Sequence, residues 1–196
     1  MELIKDIIAQ DLFLYLKKYQ ALIISDIHIG YEESLQKHGI LVPIKAYHDL
    51  IINTEKSINK LLSKKHQIKK IIINGDLLHN FSKIDRDEKK LLERFIDLLR
   101  SYGDINVIRG NHDKTLSFIL PNINILTEIV FGDILITHGD KINKHSEDKN
   151  IKTIIIGHEH PAVSIGTDIR TEKFKCYLKG HYKKKTLIVM PSSNML

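Results

Sequence analysis

Short apolar runs recur along this chain and are separated by polar or glycine-containing segments. The runs are rich in isoleucine, and a continuous apolar run of this length is typical of a β-strand that is buried on both faces. The pattern therefore predicts a series of buried strands. Six runs carry the prediction, at ALIIS (21–25), KIIIN (70–74), NVIR (106–109), ILIT (134–137), TIIIG (153–157) and TLIVM (186–190).

Helical patterns lie between the first of these strands. Residues 43–65 open with proline, which suits the first turn of a helix, and keep their apolar residues broadly on one face. Residues 87–103 begin with acidic residues, repeat apolar residues at helical spacing and end in glycine. From about Asn122 the pattern changes to strand after strand. The sequence thus predicts one α/β domain over residues 1–196, a layered sandwich of two mixed β-sheets flanked by helices.

Composition places the chain among ordinary globular proteins. With 196 residues, the chain is long enough to bury a sizeable core. Its hydrophobic content of 42% and charged content of 28% are ordinary for a globular protein. The apolar runs are too short to cross a membrane, and the first residues lack the basic start, apolar middle and small-residue cleavage site of a signal peptide. We therefore expect a cytoplasmic protein with no membrane partner.

Net charge and cysteine content add little to this picture. A charge of +6 would suit a polyanionic partner, but part of the excess lies in lysine clusters at 64–70 and 183–185, which usually form a solvated surface. The single cysteine, Cys176, cannot form an internal disulfide. Within the strand-like run FKCYL, it is expected to be a small buried hydrophobic residue rather than a nucleophile.

Polar residues of metal-ligand type follow five of the predicted strands. In open α/β sheets, ligands bind at the carboxyl ends of the strands, and the sequence predicts a polar cluster at that end of five successive strands. Six of the eleven histidines lie in these clusters. The clusters are SDIHIG (Asp26, His28), NGDLLH (Asp76, His79), RGNHD (Asn111, His112, Asp113), THGD (His138, Asp140) and GHEH (His158, His160).

The residue types in the clusters predict a two-metal site. Imidazole and oxygen ligands without thiolate disfavour structural zinc and suit Mn²⁺, Fe or Zn²⁺ in a catalytic site. The donors are too many for one ion, whereas two ions about 3.5–4 Å apart, bridged by a carboxylate, would use them. His158 and His160, at i and i+2 of an extended segment after Gly157, can direct both rings at one point. The remaining histidines have no such context and are assigned no role in the site: His38, His48, His66, His145 and His181.

Together the five clusters resemble the signature of the calcineurin-like metallophosphoesterase superfamily, from residue 21 to about residue 160. The motifs D-x-H, G-D-x-x-H, G-N-H-D, H-G-D and G-H-x-H occur in that order. Three further segments, SDIHIGYEESLQKHGILVP, GHEHPAVSI and FKCYLKG…LIVMPSSN, are similar to the archaeal SbcD-related phosphoesterases. They are also similar to the bacterial PdeM-type, ligase-associated nucleases of the DNA-damage response.

This resemblance implies a role for each predicted site residue. The cofactors would be two divalent ions, with Mn²⁺ expected and Fe, Zn²⁺ or Ni²⁺ as alternatives, and a metal-bridging hydroxide would attack phosphorus in line. His112 would stabilise the phosphorane or protonate the leaving oxygen, and His79 would assist it or contact the phosphate. The implied ligands are Asp26, His28 and His160 for the first ion, Asn111, His138 and His158 for the second, and Asp76 as the bridge.

The implied activity is hydrolysis of phosphodiester bonds, with DNA as the substrate and DNA repair as the setting. Serine/threonine protein phosphatases carry an aspartate, followed by arginine and glycine, at the place of His79, whereas a histidine resembles the SbcD-type nucleases. The alternative for His79 is a solvent-facing residue at a helix start. Four basic residues in the strand and loop stretches near the clusters are either surface charges or candidates for contacts to neighbouring phosphates, namely Arg109, Lys114, Lys141 and Lys144.

Two other functions stay open. The first keeps the chemistry and changes the substrate to a small nucleotide or another phosphate ester. The second is a binding scaffold on the same fold that has lost metal-dependent activity. All seven implied ligands are present in the sequence, and this argues against the scaffold.

Overall fold

Two mixed β-sheets pack face to face in the computed structural model of the chain. Fully buried isoleucines from both sheets, such as Ile72 and Ile155, meet in the core between them. This arrangement confirms the predicted layered α/β sandwich. The structure describes residues 1–42, 45–79, 86–167 and 170–196.

The strands within the described residues form two sheets and a separate hairpin. Their bounds are β1 (Glu2–Ile4), β2 (Ile7–Gln10), β3 (Phe13–Leu16), β4 (Ala21–Ile24), β5 (Lys70–Asn74), β6 (Asp104–Ile108), β7 (Asn124–Leu126), β8 (Glu128–Phe131), β9 (Ile134–Thr137), β10 (Thr153–Ile156), β11 (Ala162–Gly166), β12 (Thr171–Lys175), β13 (Leu178–Tyr182) and β14 (Lys185–Val189). The first sheet contains β1 to β7 in chain order, with β4 to β7 parallel. The second has the order β13-β14-β10-β9-β8, with β9, β10 and β14 parallel. The strands β11 and β12 form the hairpin.

Helices cover the outer face of the first sheet. The α-helices of the described residues are α1 (Tyr31–Lys37), α2 (Ala46–Ser63), α3 (Arg86–Arg100) and α4 (Leu116–Ile119). Apolar residues of α2 and α3, such as Ile58 and Phe95, pack on that sheet. Both helices match the predictions to within three residues at each end, while Pro43, the predicted start of the first, lies outside the described residues. Across the described chain, we find no helix with the length and apolar character needed to cross a bilayer.

Three strands have no counterpart in the predicted pattern, and one local prediction, the burial of Cys176, is wrong. The N-terminal residues form β1 to β3, which the apolar pattern does not predict. Asp6 and Asp11 lie in the turns between these strands in a left-handed conformation, with φ of 64° and 53°, so the usual glycine signal of a hairpin is missing. Cys176 is only half-buried, because it lies between β12 and β13 rather than inside a strand.

The five polar clusters lie at the carboxyl ends of parallel strands, on the same side of the two packed sheets. Three clusters follow β4, β5 and β6, which are neighbours in the first sheet. The other two follow β9 and β10, which are neighbours in the second. The expectation of five successive strands is therefore wrong, because β7 and β8 intervene in the chain. The clusters meet between two sheets and not along one.

Glu32 of α1 ties the segment after SDIHIG to the start of α2. Its buried carboxylate accepts hydrogen bonds from the backbone N–H groups of Lys45 at 2.8 Å, Ala46 at 2.7 Å and Tyr47 at 3.4 Å. N–H groups in the first turn of a helix have no partner inside the helix, and a negative charge there is favourable. One side chain thus caps α2 and fixes α1 against it.

Glu32→Ala is expected to lower the free energy of unfolding by about 1–3 kcal/mol, because it leaves buried donors unsatisfied. Urea unfolding followed by circular dichroism measures the change. Glu93→Ala, on an exposed position of α3, is the control and should change stability by less than about 0.5 kcal/mol. Equal stability of the two variants would show that water replaces the carboxylate.

Candidate metal centre

Five residues of the polar clusters have a left-handed backbone. Outside glycine, this conformation costs about 1–3 kcal/mol per residue, although aspartate and histidine adopt it more readily than most. It persists only where the surroundings enforce it, and such positions gather at ligand clamps and active sites. The angle φ lies between 43° and 64° at Asp26, His28, Asp76, His158 and His160.

This backbone conformation separates the two histidines of GHEH. Because His158 and His160 are left-handed rather than extended, their rings join different groups. The ligand atom of His160 lies within 4.8 Å of those of Asp26 and His28. The ligand atom of His158 lies within 4.8 Å of those of Asp76 and His138. The prediction that both rings share one point is wrong, and the structure forms two adjoining groups instead.

Gly75 and Gly157 let the loops approach more closely than a side chain would allow. A Cβ at Gly157 would lie 2.0 Å from Ser25 Oγ and 2.4 Å from Asp26 Oδ2. Gly75 has φ of +81°, and a Cβ there would lie 2.1 Å from His138 Nδ1. Any other residue at either position would displace a candidate ligand.

Asp26, His28 and His160 form the first group. Asp26 is fully buried, and its Oδ1 lies 3.1 Å from His160 Nε2, while both of its oxygens accept the His158 backbone N–H at 3.1 Å. His28 Nε2 faces His160 Nε2 at 3.4 Å. Burial lowers the pKa of His28 to about 4 against the opposing effect of nearby carboxylates. His28 is thus neutral at physiological pH, the form that binds a metal, and the group offers one anionic oxygen and two ring nitrogens.

Asp76, His138, His158 and Asn111 form the second group. His138 Nδ1–H donates to the Asn74 carbonyl at 3.2 Å, which directs Nε2 at Asn111 Oδ1 (3.0 Å) and Asp76 Oδ2 (3.3 Å). Burial opposes a charge on His138, but the hydrogen bond and the charge of Asp76 raise its pKa to about 9. A proton on Nε2 therefore balances the carboxylate in the metal-free chain. A divalent cation between the same atoms fits equally well, because a backbone carbonyl bound at Nδ1 is the usual second partner of a metal-bound histidine.

Asp76 lies between the two groups. Its Oδ2 is 3.3 Å from His138 Nε2, 3.8 Å from His28 Nε2 and 4.0 Å from His112 Nε2. Its Oδ1 accepts the His112 backbone N–H at 2.9 Å. Burial raises the pKa of Asp76, but the hydrogen bond and charge of His138 outweigh this and lower it overall. One ionised carboxylate therefore faces ligands of both groups, and the donor set suits two divalent cations.

His79 and His112 lie side by side next to the two groups. Their rings stack with centroids 5.5 Å apart, and His112 Nδ1–H donates to the His79 carbonyl at 2.6 Å. The His79 ring is half-buried and packs 4.4 Å from the Tyr31 ring, so the solvent-facing alternative is wrong. Burial, followed by the charge of His112, lowers the pKa of His79. A third close set of ring nitrogens joins both residues to His28.

Asp113 of RGNHD turns away from the groups and holds two loops together. Its Oδ1 accepts the backbone N–H groups of Leu77 at 3.0 Å and Leu78 at 3.2 Å, and its Oδ2 accepts that of Gly110 at 3.0 Å. Complete burial raises the pKa of Asp113 to about 6 against these hydrogen bonds. Asp113 therefore positions the Asp76 and Asn111 loops relative to each other and is not part of either ligand group.

The C-terminal segment PSSN, residues 191–194, supports the first group in a way that sequence patterns do not predict. Ser192 Oγ–H donates to the Asp26 carbonyl at 2.8 Å. Asn194 Nδ2–H donates to the Ile27 carbonyl at 2.9 Å, and its backbone N–H bonds the Asp26 carbonyl at 3.2 Å. The segment thus holds the strained Asp26 loop from behind. The local sequence shows only three small polar residues, Ser192, Ser193 and Asn194, shortly after β14.

A cavity of about 680 Å³ opens beside the first group and the His79–His112 pair. Four predicted site histidines line it, together with residues that the sequence analysis missed, notably Tyr31, Lys173 and Lys175. Asp140 of THGD is not brought to it, because this residue is exposed and lines a separate cavity of about 280 Å³ with Lys141. The four histidines of the larger cavity are His28, His79, His112 and His160.

Comparison with known proteins adds a family and a fold. A family model described as calcineurin-like phosphoesterase matches residues 19–162. No match was found among curated protein sequences. Among solved structures, the chain is similar to the Pseudomonas putida nuclease MPE, with a TM-score of 0.64 and 18% identity over 96% of this chain and 82% of that chain.

The protein of unknown function AQ665 from Aquifex aeolicus is also similar, with a TM-score of 0.46 and 17% identity over 71% of this chain and 78% of that chain. At 18% identity, the likeness to the Pseudomonas putida protein shows a shared fold. The family match confirms the superfamily that the five clusters indicate.

Proposed function

The chain belongs to the calcineurin-like phosphoesterase family, and from that premise we propose that it hydrolyses phosphodiester bonds. Membership makes it a metal-dependent phosphoesterase, so the scaffold alternative is set aside. The observation that carries the finer proposal is a cavity lined by the first ligand group and the His79–His112 pair, with the second group adjoining through Asp76.

The cofactors are proposed to be two divalent ions. When bound, such ions activate water near neutral pH and neutralise charge on the phosphoryl oxygens. Mixed oxygen and imidazole donors favour Mn²⁺, with Fe, Zn²⁺ and Ni²⁺ as alternatives. The proposed ligands are Asp26, His28 and His160 for one ion, Asn111, His138 and His158 for the other, and Asp76 for both.

His112 is proposed to protonate the leaving oxygen. Its Nδ1–H donates to the His79 carbonyl, so in the protonated ring the proton to be transferred is the one on the other ring nitrogen, Nε2. Nε2 lies 4.0 Å from Asp76 Oδ2, on the side of the candidate ligands. Since the side chain lines the cavity, a phosphate held by the ions would lie within its reach.

His79 is proposed to favour diesters over monoesters. A monoester dianion gains most from the cations, whereas a diester has one negative charge and a second substituent that needs both space and contacts. The cavity of about 680 Å³ is in the range of sites for whole small molecules and is much larger than a phosphate group. The lowered pKa of His79 keeps its ring neutral, and it can then hydrogen-bond the second substituent.

DNA is the proposed substrate, and DNA repair the proposed setting. Support comes from the fold shared with a Pseudomonas putida protein named as a nuclease and from the net charge of +6. The resemblance of the sequence to DNA-damage-response nucleases points the same way. A small nucleotide ester is the alternative substrate.

With Mn²⁺ bound, the enzyme is expected to hydrolyse bis(p-nitrophenyl) phosphate faster than p-nitrophenyl phosphate. His79→Ala should reduce the diester rate by about tenfold, equivalent to one lost hydrogen bond of roughly 1.4 kcal/mol, and reduce the monoester rate less. Absorbance of released p-nitrophenolate measures both rates. His181→Ala, on an exposed position of β13, is the matched control and should change neither.

The same preparation should cut single-stranded DNA with strong inhibition by salt, because contacts to several phosphates release counterions. Gel analysis of a labelled oligonucleotide over a salt series measures this. A preference for monoesters, with DNA left intact at low salt, would contradict the nuclease proposal and favour the small-nucleotide alternative.

A further inference from the structure

We infer that the β11–β12 hairpin binds the strand of a polymeric substrate, with Lys173 contacting a phosphate next to the one that is cleaved. The inference rests on the proposed function, because it needs a phosphodiester in the cavity. It adds a substrate-binding element outside the five polar clusters and assigns the side of the cavity along which the proposed nucleic acid strand runs.

The hairpin is joined directly to the first ligand group. Only Pro161 separates His160 from the start of β11. The Cys176 N–H, just after β12, donates to the Pro161 carbonyl at 3.0 Å and closes the base of the hairpin. The hairpin therefore begins at the candidate metal centre and extends away from it.

One face of the hairpin is turned to the cavity. Ala162 pairs with Lys175, and Ser164 pairs with Lys173. Side chains of paired residues, and of every second residue along a strand, share a face. Of this face, Ala162, Lys173 and Lys175 line the cavity of about 680 Å³. The hairpin thus forms a wall of that cavity and presents two lysines to it.

Lys175 anchors the wall. Its Nζ donates to the Ser192 carbonyl at 3.3 Å and to the Asn194 carbonyl. Both residues belong to the segment that holds the Asp26 loop. Because its N–H groups are used in this way, Lys175 links the hairpin to the first ligand group and fixes the position of β12.

Lys173 is left for a ligand. It is exposed, and within the described part of the chain it has no carboxylate at ion-pair distance and no hydrogen-bonding partner. It lies two residues from Lys175, or about 7 Å farther along the strand and away from the metal groups. This displacement is comparable to the spacing of successive phosphates in an extended nucleic acid strand. Lys173 can therefore meet the phosphate that follows the one at the metals.

The basic residues after the polar clusters fit this role less well. Lys141, one of the candidates from the sequence, lines the separate cavity together with Asp140. The lysines that line the larger cavity come instead from β12, a strand that belongs to none of the five polar clusters. The wall is therefore visible only once the register of the hairpin is known.

Lys173→Gln tests the inference. At low salt, its KM for a single-stranded oligonucleotide should rise about two- to tenfold with kcat retained, and the slope of log KM against log salt should fall by about 0.7, the loss of one phosphate contact. Hydrolysis of bis(p-nitrophenyl) phosphate, which has no neighbouring phosphate, should not change. Lys173→Arg should restore the oligonucleotide KM. The control is Lys184→Gln, in the exposed turn between β13 and β14 at the far end of the second sheet, and it should behave as wild type.

The outcomes separate this inference from the proposed function. A wild-type KM and salt slope in Lys173→Gln would overturn the inference alone, as would an equal change in Lys184→Gln, since diffuse charge would then explain it. Wild-type enzyme that hydrolyses the small diester but no oligonucleotide would overturn it too. Failure of the wild-type enzyme on every diester would overturn the proposed function instead.

Discussion

Asp76→Asn is expected to lose bound metal and phosphoesterase turnover together. The Oδ2 atom of Asp76 lies within 4.0 Å of ring nitrogens from His28, His112 and His138, so both ligand groups depend on this carboxylate. An amide has the same shape but no charge, and an oxygen shared by two cations needs that charge. We expect less than full occupancy of the two ions and a loss of turnover of more than about a hundredfold.

Metal content by mass spectrometry, together with turnover of bis(p-nitrophenyl) phosphate, measures both effects on one sample. The amide of the Asp76→Asn variant would keep an oxygen for the His112 backbone N–H, so the loops should keep their positions. Asp140→Asn is the matched control, because Asp140 belongs to the same set of motifs but lines another cavity. It should leave both readouts unchanged. Two bound ions and full turnover in Asp76→Asn would show that the bridging role is wrong.

The strands that carry the site can be predicted, because their sequences are compatible with few other secondary structures. Runs such as KIIIN and ILIT are too short and too uniformly apolar for a surface helix, and the structure gives them the predicted bounds. Polar residues that follow such strands must lie at a sheet edge, which brings the motif residues together. The N-terminal strands could not be predicted in this way, because their turns have Asp6 and Asp11 at positions where glycine is usual.

The support of the site is not predictable in the same way, because it depends on tertiary contacts. Nothing local indicates that Asp113 bonds two loops while Asn111, two residues earlier, faces a metal group. Residues 191–194 are likewise distant in sequence from the Asp26 loop that they hold. The left-handed backbone at GHEH also comes from its surroundings, so the division of its two histidines between groups follows from the fold.

The geometry of His112 separates its proposed role in catalysis from its support of the metal groups. Its side chain bonds the His79 carbonyl, and its Nε2 stays 4.0 Å from Asp76, beyond hydrogen-bonding distance. The contact that supports Asp76 comes from the His112 backbone N–H, at 2.9 Å. Removing the imidazole therefore leaves that support intact, whatever it does to proton transfer.

His112→Ala is accordingly expected to retain both metal ions and to lose about 10²- to 10⁴-fold in turnover. If the lost group is a general acid, the effect should be largest for oligonucleotides, whose alcohol leaving group needs a proton, and smaller for bis(p-nitrophenyl) phosphate, whose p-nitrophenolate departs without one. Metal analysis and the two rates, measured beside His181→Ala, test this. Loss of metal would make His112 a ligand, and equal loss of both rates would assign it to binding of the phosphate rather than to proton transfer.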